Sequence, residues 1–334
     1  MALAPSTFAV CDHDPALREV VIAIPVRNEA QRLPRLLQAL SNAAARTPLP
    51  VTAIFLANNC TDGSENVALS FRHPALSVRV ISCHLADPTA GLARRMAFDL
   101  AARDGALIMT TDADAVPHPN WITSAMGAAS AGADVVCGRV LADLRAVMAA
   151  PQVRRVARLE TAYRRLLHET RHALDSLSGR ARCRQPHYIE AGASLAIRAE
   201  CYRQIGGMPE VRSSEDRALV HRAEQHGLRI DYAPAMTVTV SARLCGRAEG
   251  GMAETLRSRI SDPNPLVDQA MLPLPVVRQL WHAAITGRPL PYPSRADTGG
   301  WSRLRASDLE TALPDLRDFV RRNVRPYLSR SEAA

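Results

Sequence analysis

The stretch Ala106-Leu107-Ile108-Met109-Thr110-Thr111-Asp112-Ala113-Asp114-Ala115-Val116-Pro117 decides the fold class. Its first half is a short apolar run of the kind that forms a buried strand. Its second half releases two carboxylates one residue apart. In an open α/β sheet, ligands bind at the carboxyl ends of the strands, so Asp112 and Asp114 are predicted to project into that crevice. Two carboxylates this close repel, and a hard divalent ion, Mg2+ or Mn2+, that also takes oxygens from a substrate phosphate relieves the repulsion. So short a motif leaves a second reading open, a strand-end loop with two solvated aspartates.

Outward from this stretch, short apolar runs alternate with amphipathic ones, the pattern of βα units and a mostly parallel sheet. Val20 to Ile24 reads as a first buried strand ending at Pro25, and Leu33, Leu36, Leu37 and Leu40 then recur at helical spacing. Further strands are predicted at Val51 to Leu56, Val78 to Ile81 and Asp134 to Val140, with a helix over Gly91 to Arg103. Residues 145 to 178 form a long helical region with Val153, Val156, Leu159, Tyr163, Leu166 and Leu167 on one side. Arg154, Arg155, Arg158, Arg164, Arg165 and Arg171 crowd the other. A helix packed on its domain with a solvated basic face is expected, and a basic helix resting on an anionic membrane is the alternative. Ile189 to Ile197 resumes strand character, and Glu200 to His226 reads as loop then helix. The Pro-rich 263–293 region reads as loop or short helices. In the tail, Ser307-x-x-Glu310 reads as a capping box ahead of Leu309, Leu313 and Leu316.

The 334 residues are 47% hydrophobic, enough for a sizeable buried core. The net charge is +8, and all 41 basic residues are Arg, whose planar fork suits acidic substrates. Only 4% are aromatic, without the aromatic-basic interleaving of a nucleic-acid surface, so no nucleic-acid partner is expected. Seven dispersed cysteines without a C-x-x-C pair argue against a disulfide framework or a zinc site and fit a reducing compartment. Neither an export signal nor a transmembrane run is legible, which gives a cytoplasmic expectation.

Polar residues collect at the predicted strand ends. Pro25-Val26-Arg27-Asn28-Glu29 can read a base and ribose, or cap the next helix. Asn58 to Ser64 offers amides for a nucleobase edge or a plain Asx-type turn. Arg94 and Arg95, early in the helix before the acidic strand, can meet a phosphate or base, or serve as surface charge. Ser241 to Arg247, followed by Gly250-Gly251, reads either as a basic loop able to close over a diphosphate, through Arg243 and Arg247, or as an ordinary surface loop.

In this order the segments resemble glycosyltransferase family 2, over roughly residues 18 to 247. They are Ile24 to Glu29, Asn58 to Ser64, Gly91 to Arg95, Asp112-Ala113-Asp114, Glu190 to Ile197, and Gly206-Gly207 leading to Ser214-Glu215-Asp216. The resemblance implies a GT-A type, Rossmann-like α/β domain over 18–247. Its parts are a nucleotide-sugar-binding half at 18–140, a helical insertion at 141–187 and an acceptor half at 188–247, followed by a loop and helical extension at 248–334. It also implies a metal-dependent, inverting, non-processive transfer from a nucleotide-diphosphate sugar donor to a hydroxyl acceptor. By position, Asp114 and Asp112 match the metal-side acids, Pro25, Arg27, Glu29 and Asn58 lie on the nucleoside side, and Arg94 matches a basic residue beside the nucleotide. Asp216, next to Glu215, matches the general base. Asn58 departs from the Asp common at that place, so the nucleobase stays open; no Gln-x-x-Arg-Trp segment of processive synthases occurs. A nucleotidyltransferase acting on a sugar phosphate and a non-catalytic sugar-nucleotide-binding protein are the competing readings. A dinucleotide oxidoreductase is not, because no Gly precedes Gly63 to form G-x-G-x-x-G after the first strand.

Overall fold

The computed structural model describes residues 16–143, 148, 150–180, 186–211, 214–241, 252–290, 292–293 and 301–331. In chain order, β1 (Glu19–Val26), α1 (Leu33–Ala44), β2 (Val51–Asn58), α2 (Ser64–Ser70), β3 (Ser77–Cys83), α3 (Ala90–Ala101) and β4 (Ala106–Thr110) form successive βα units. They are followed by β5 (Val116–Pro117), α4 (Trp121–Ser130), β6 (Val135–Asp143), the long α5 (Pro151–Leu177), β7 (Leu195–Arg198), α6 (Ala199–Gln204), α7 (Glu215–Gln225) and β8 (Ile230–Ser241). The chain continues through α8 (Met252–Ser261), α9 (Leu274–Ile285), α10 (Ala306–Phe319), a π-helical turn (Val320–Val324) and α11 (Arg325–Ser331). Two compact units result, residues 1–143 with 187–241 and residues 144–186 with 242–334. The segment expected as an insertion thus groups with the C-terminal extension.

The first unit holds an eight-stranded sheet in the order β3-β2-β1-β4-β7-β6-β8-β5. The run β3-β2-β1-β4 is parallel throughout, so the loops after β1, β2 and β4 share one edge. β7 runs antiparallel to both its neighbours and β6 parallel to β8. Both faces are covered, which is why β1 reads as a continuous apolar run. Val20, Ile22 and Ile24 pack with Leu33, Leu37 and Phe55 on one face, and Val21 and Ala23 pack with Ile54 and Phe98 on the other.

The expected strand over 189–197 shortens to Leu195–Arg198, because residues 191–194 form a turn closed by the Ser194 N–H on the Ala191 carbonyl. A helix, α6, also stands where loop was expected after Glu200.

In the second unit α5 lays Val156, Tyr163, Leu166 and Leu167 against Val277, Leu280, Trp281, Leu309 and Leu316. Its buried Glu160 accepts from Arg259 Nη2 (2.6 Å) and the Asp268 N–H (2.9 Å). The basic face of α5 is more than solvated charge. Arg155 grips Glu310 with two hydrogen bonds (2.8 and 2.7 Å), Arg165 and Arg325 share Glu169, and Arg171 is buried under the Tyr292 ring. The Pro-rich region holds the three-turn α9, since Pro275 sits in its first turn, where a missing N–H costs nothing. The capping box also moves. α10 starts at Ala306, the Arg305 N–H donates to Asp308 (2.7 Å), and Ser307 is held by Asn264 instead. Among the described residues no helix is long and apolar enough to cross a membrane.

Candidate functional site

At the shared strand edge, the loops after β1 and β2 are sewn together. Asn28, at φ 55°, accepts the Thr61 N–H on Oδ1 (2.7 Å), the Glu29 N–H donates to Ser64 Oγ (2.8 Å) and the Ala30 N–H donates to Asp62 (2.9 Å). These bonds replace the expected helix-capping role of Asn28 and Glu29, because α1 begins only at Leu33. Burial works to raise the Asp62 carboxyl, but hydrogen bonds from Ser64 and Ala30 outweigh it and hold the group below its ordinary value. The Glu29 side chain is buried, 3.3 Å from Arg32. Arg27 is exposed, and Pro25 pairs in register with Leu56.

The tandem asparagines after β2 divide their work. Asn59 uses its amide on the main chain of Leu85, accepting its N–H (3.0 Å) and donating to its carbonyl (3.1 Å). Asn58 instead carries a buried Oδ1 with no hydrogen-bond partner among the described residues, and so does Thr111 Oγ1 beside Asp112. A buried acceptor left in that state costs about 1–3 kcal/mol, so a ligand that donates to it is bound with that cost removed.

The acids meet at Arg94. From the buried first turns of α3 its guanidinium donates from Nε to Glu215 (2.9 Å), from Nη1 to Thr110 Oγ1 (3.1 Å) and the Gly192 carbonyl (2.9 Å), and from Nη2 to Asp112 (2.9 Å). Burial alone would lower the Arg94 pKa. The carboxylates of Asp112, Glu215 and Asp216 outweigh it and raise the pKa further above its ordinary value. Gly192 permits this approach, because a Cβ there would lie 2.5 Å from Arg94 Cζ. The same residue donates its N–H to Asp216 Oδ2 (2.6 Å), while Asp216 Oδ1 accepts the Arg217 N–H (2.8 Å). Glu215 and Asp216 occupy the first turn of α7, where the helix dipole favours negative charge. Gly91 lets α3 come close, since a Cβ there would meet the Val211 carbonyl at 2.9 Å.

The structure therefore brings Asp112, Glu215, Asp216 and Arg94 into one cluster, with Arg94 engaged by protein groups and not held out as a phosphate hook. Asp114 follows at the strand end, partly exposed. Arg243 and Arg247 lie outside the described residues. Thr110, Thr111 and Gly192 were not singled out from sequence as site residues; the strand-end position of the threonines and the place of Gly192 in the Glu190 to Ile197 segment were the signals that hinted at them. Shortly before Gly192 in the chain, His187 packs edge-on against Tyr232, whose hydroxyl donates to buried Glu190 (2.9 Å). Burial, with Arg139 adding to it, pushes the His187 imidazole down to about 4.

Among the described residues no group of three or more His, Cys, Asp or Glu is gathered as a cage for an ion. Two hard carboxylates at a strand end still fit Mg2+ or Mn2+, which characteristically takes one or two protein carboxylates and fills its shell with water and substrate phosphate oxygens.

The chain matches the profile of Glycosyl transferase family 2 over residues 21–197, more than half its length. No curated protein sequence gives a significant match. Among solved structures it is similar to S. aureus TarS 1-349 in complex with UDP-GlcNAc, with 14% identity over 72% of this chain and 61% of that one and a TM-score of 0.47. It is also similar to glucosyl-3-phosphoglycerate synthase from Mycobacterium tuberculosis in complex with Mn2+, UDP-Glc and phosphoglyceric acid, with 17% identity over 74% and 79% and a TM-score of 0.43. The chain thus spans about 61% of the length of the TarS fragment it matches.

Proposed function

The chain belongs to glycosyl transferase family 2, and from that premise we propose that it moves a sugar from a nucleotide-diphosphate sugar to an acceptor hydroxyl, with inversion and without repeated extension. One observation carries this reading. The parallel neighbours β2, β1 and β4 end in Asn58, Glu29 and the Asp112/Asp114 pair at a single edge, and the Gly192 N–H fastens Asp216 to the same cluster.

In this reading Asn58 offers its buried carbonyl oxygen to a ring N–H of the base, and Glu29 accepts from the ribose. Mg2+ or Mn2+ held by Asp114, with Asp112, would supply the Lewis acid that stabilises the charge on the departing diphosphate. Asp216 is oriented by two backbone N–H groups, yet each carboxylate oxygen keeps lone-pair capacity for a further proton. It takes the acceptor hydroxyl proton as the oxygen attacks C1. The C1–O bond to the diphosphate breaks, and its electron pair leaves with the phosphate. Such base assistance is worth ~10²–10⁴ in rate. The dispersed cysteines, none of them in a C-x-x-C pair, support a reducing, cytoplasmic setting. The burial of the α5 apolar stripe supports an acceptor that is small or peripherally presented over one reached by membrane docking.

Thermal-shift measurements with nucleoside diphosphates and Mn2+ test the reading. A shift with one of them, lost in EDTA and in Asp114→Asn, is expected; full turnover of Asp114→Asn, or undiminished turnover in EDTA, would overturn it.

A further inference from the structure

A single guanidinium joins two parts of the cluster, the end of β4 and the start of α7. Arg94 binds Asp112 and Glu215, and it also holds the carbonyl of Gly192, the residue whose N–H is on Asp216. All three Arg94 nitrogens are engaged, and the side chain is nearly inaccessible to solvent. It therefore has little left to offer a nucleotide. A planar fork can hold acceptors in several fixed directions, which the point charge of a lysine cannot.

We propose that Arg94 is a positioning residue, coupling the Asp112 side of the site to α7 and Asp216, so that Glu215 acts only through Arg94 and is not itself a base. This rests on the roles proposed for Asp112 and Asp216 above. Two consequences separate the coupling from a merely structural role. First, Glu215→Gln alters the α7 side only, yet it weakens binding at the Asp112 side, because Arg94 then turns more of its charge on Asp112. Second, that effect vanishes once Arg94 is gone. Outer partners of metal-side acids commonly change affinity or activity by about 10–100-fold.

The test is a pair of double-variant cycles on the full chain. In the first, thermal unfolding without ligand compares Asp112→Asn, Glu215→Gln and their combination, in the wild-type and Arg94→Met backgrounds. The two losses are expected not to add when Arg94 is present and to add when it is replaced. Additive losses in the presence of Arg94 would overturn the coupling, whatever the ligand results. In the second, calorimetric binding of Mn2+ with UDP, GDP, ADP and CDP is measured for wild type, Glu215→Gln, Arg94→Lys and the double variant. Arg94→Lys, melting near wild type, is expected to lose about tenfold or more in affinity for whichever diphosphate binds. Glu215→Gln is expected to add nothing to it. Wild-type affinity and turnover in a folded Arg94→Lys would contradict the proposal. Failure of wild type to bind any of the four diphosphates would instead count against the glycosyltransferase reading, leaving the ligand-free cycle to decide the coupling.

Discussion

The Arg94 and Glu160 clusters are both buried ion networks, yet they are built in opposite senses. In the sheet unit one cation gathers Asp112, Glu215 and, through Gly192, Asp216, beside strand ends that carry a further acid and orphaned acceptors. In the helical unit one anion gathers Arg259, the Asp268 N–H and, at 3.8 Å, Arg164, among packed apolar side chains. The second network sits within the packed helical core, and there Arg259 Nε too is buried without a hydrogen-bond partner among the described residues. The first leaves carboxylate capacity facing the sheet edge, which is where a ligand would complete it. Neither buried charge nor an orphaned polar atom alone therefore marks a site; what sets the first cluster apart is that its carboxylates gather at strand ends beside orphaned acceptors.

The sharpest way to break that contrast is Glu160→Ala, which strands Arg259 inside the helical unit. Removing one partner of a buried pair costs about 3–5 kcal/mol, so a large drop in melting temperature is expected, with turnover per folded molecule unchanged. A fall in turnover per folded molecule would erase the distinction between the clusters. Gly192→Ala is the converse test. Its Cβ would meet Arg94 Cζ at 2.5 Å, displacing the fork and with it the anchor of Asp216. Turnover is expected to fall about 100-fold, the usual cost of misplacing a reacting group by an ångström, and wild-type turnover would contradict the geometry.

A smaller effect concerns pH. His187 is held near 4 in the fold and returns to about 6.5 when unfolded, so the unfolded chain binds the extra proton between those values. Stability from its neutral form is present above 6.5 and is lost as the pH falls towards 4. His187→Asn is expected to flatten that part of a melting-temperature profile; an unchanged slope would remove His187 as its cause. The smallest expected change is Tyr163→Phe, which leaves the Leu272 carbonyl without its 2.8 Å donor and costs about 1 kcal/mol by denaturant unfolding.

Much of the sheet unit was legible because burial on both faces writes itself as unbroken apolar runs, as in β1 and β4, and because paired acids directly after such a run mark the strand's carboxyl end. The Asp112-Ala113-Asp114 position was found that way, whereas Glu215-Asp216, at the start of α7, was picked out only by its place in the family's order of motifs. The role of Arg94 was not, since its partners lie 16, 98 and 121 residues away and only tertiary packing shows that its fork is already occupied. The 189–194 segment read as strand because its composition is apolar, whereas its Gly192 peptide serves side chains and not a neighbouring strand. The α10 cap shifted for a similar reason, because Asn264, 43 residues distant, takes Ser307. Local pattern finds elements and acids, and long-range hydrogen bonds decide what each acid faces.

Donor binding by Asp114→Asn and Asp216→Asn, titrated side by side in the calorimeter with Mn2+ and the nucleoside diphosphate that shifts the wild-type melting temperature, tests the central claim most directly. Binding lost in the first variant and retained in the second is the result this division between metal-side acid and base predicts. Equal loss in both, or full retention in both, would contradict it.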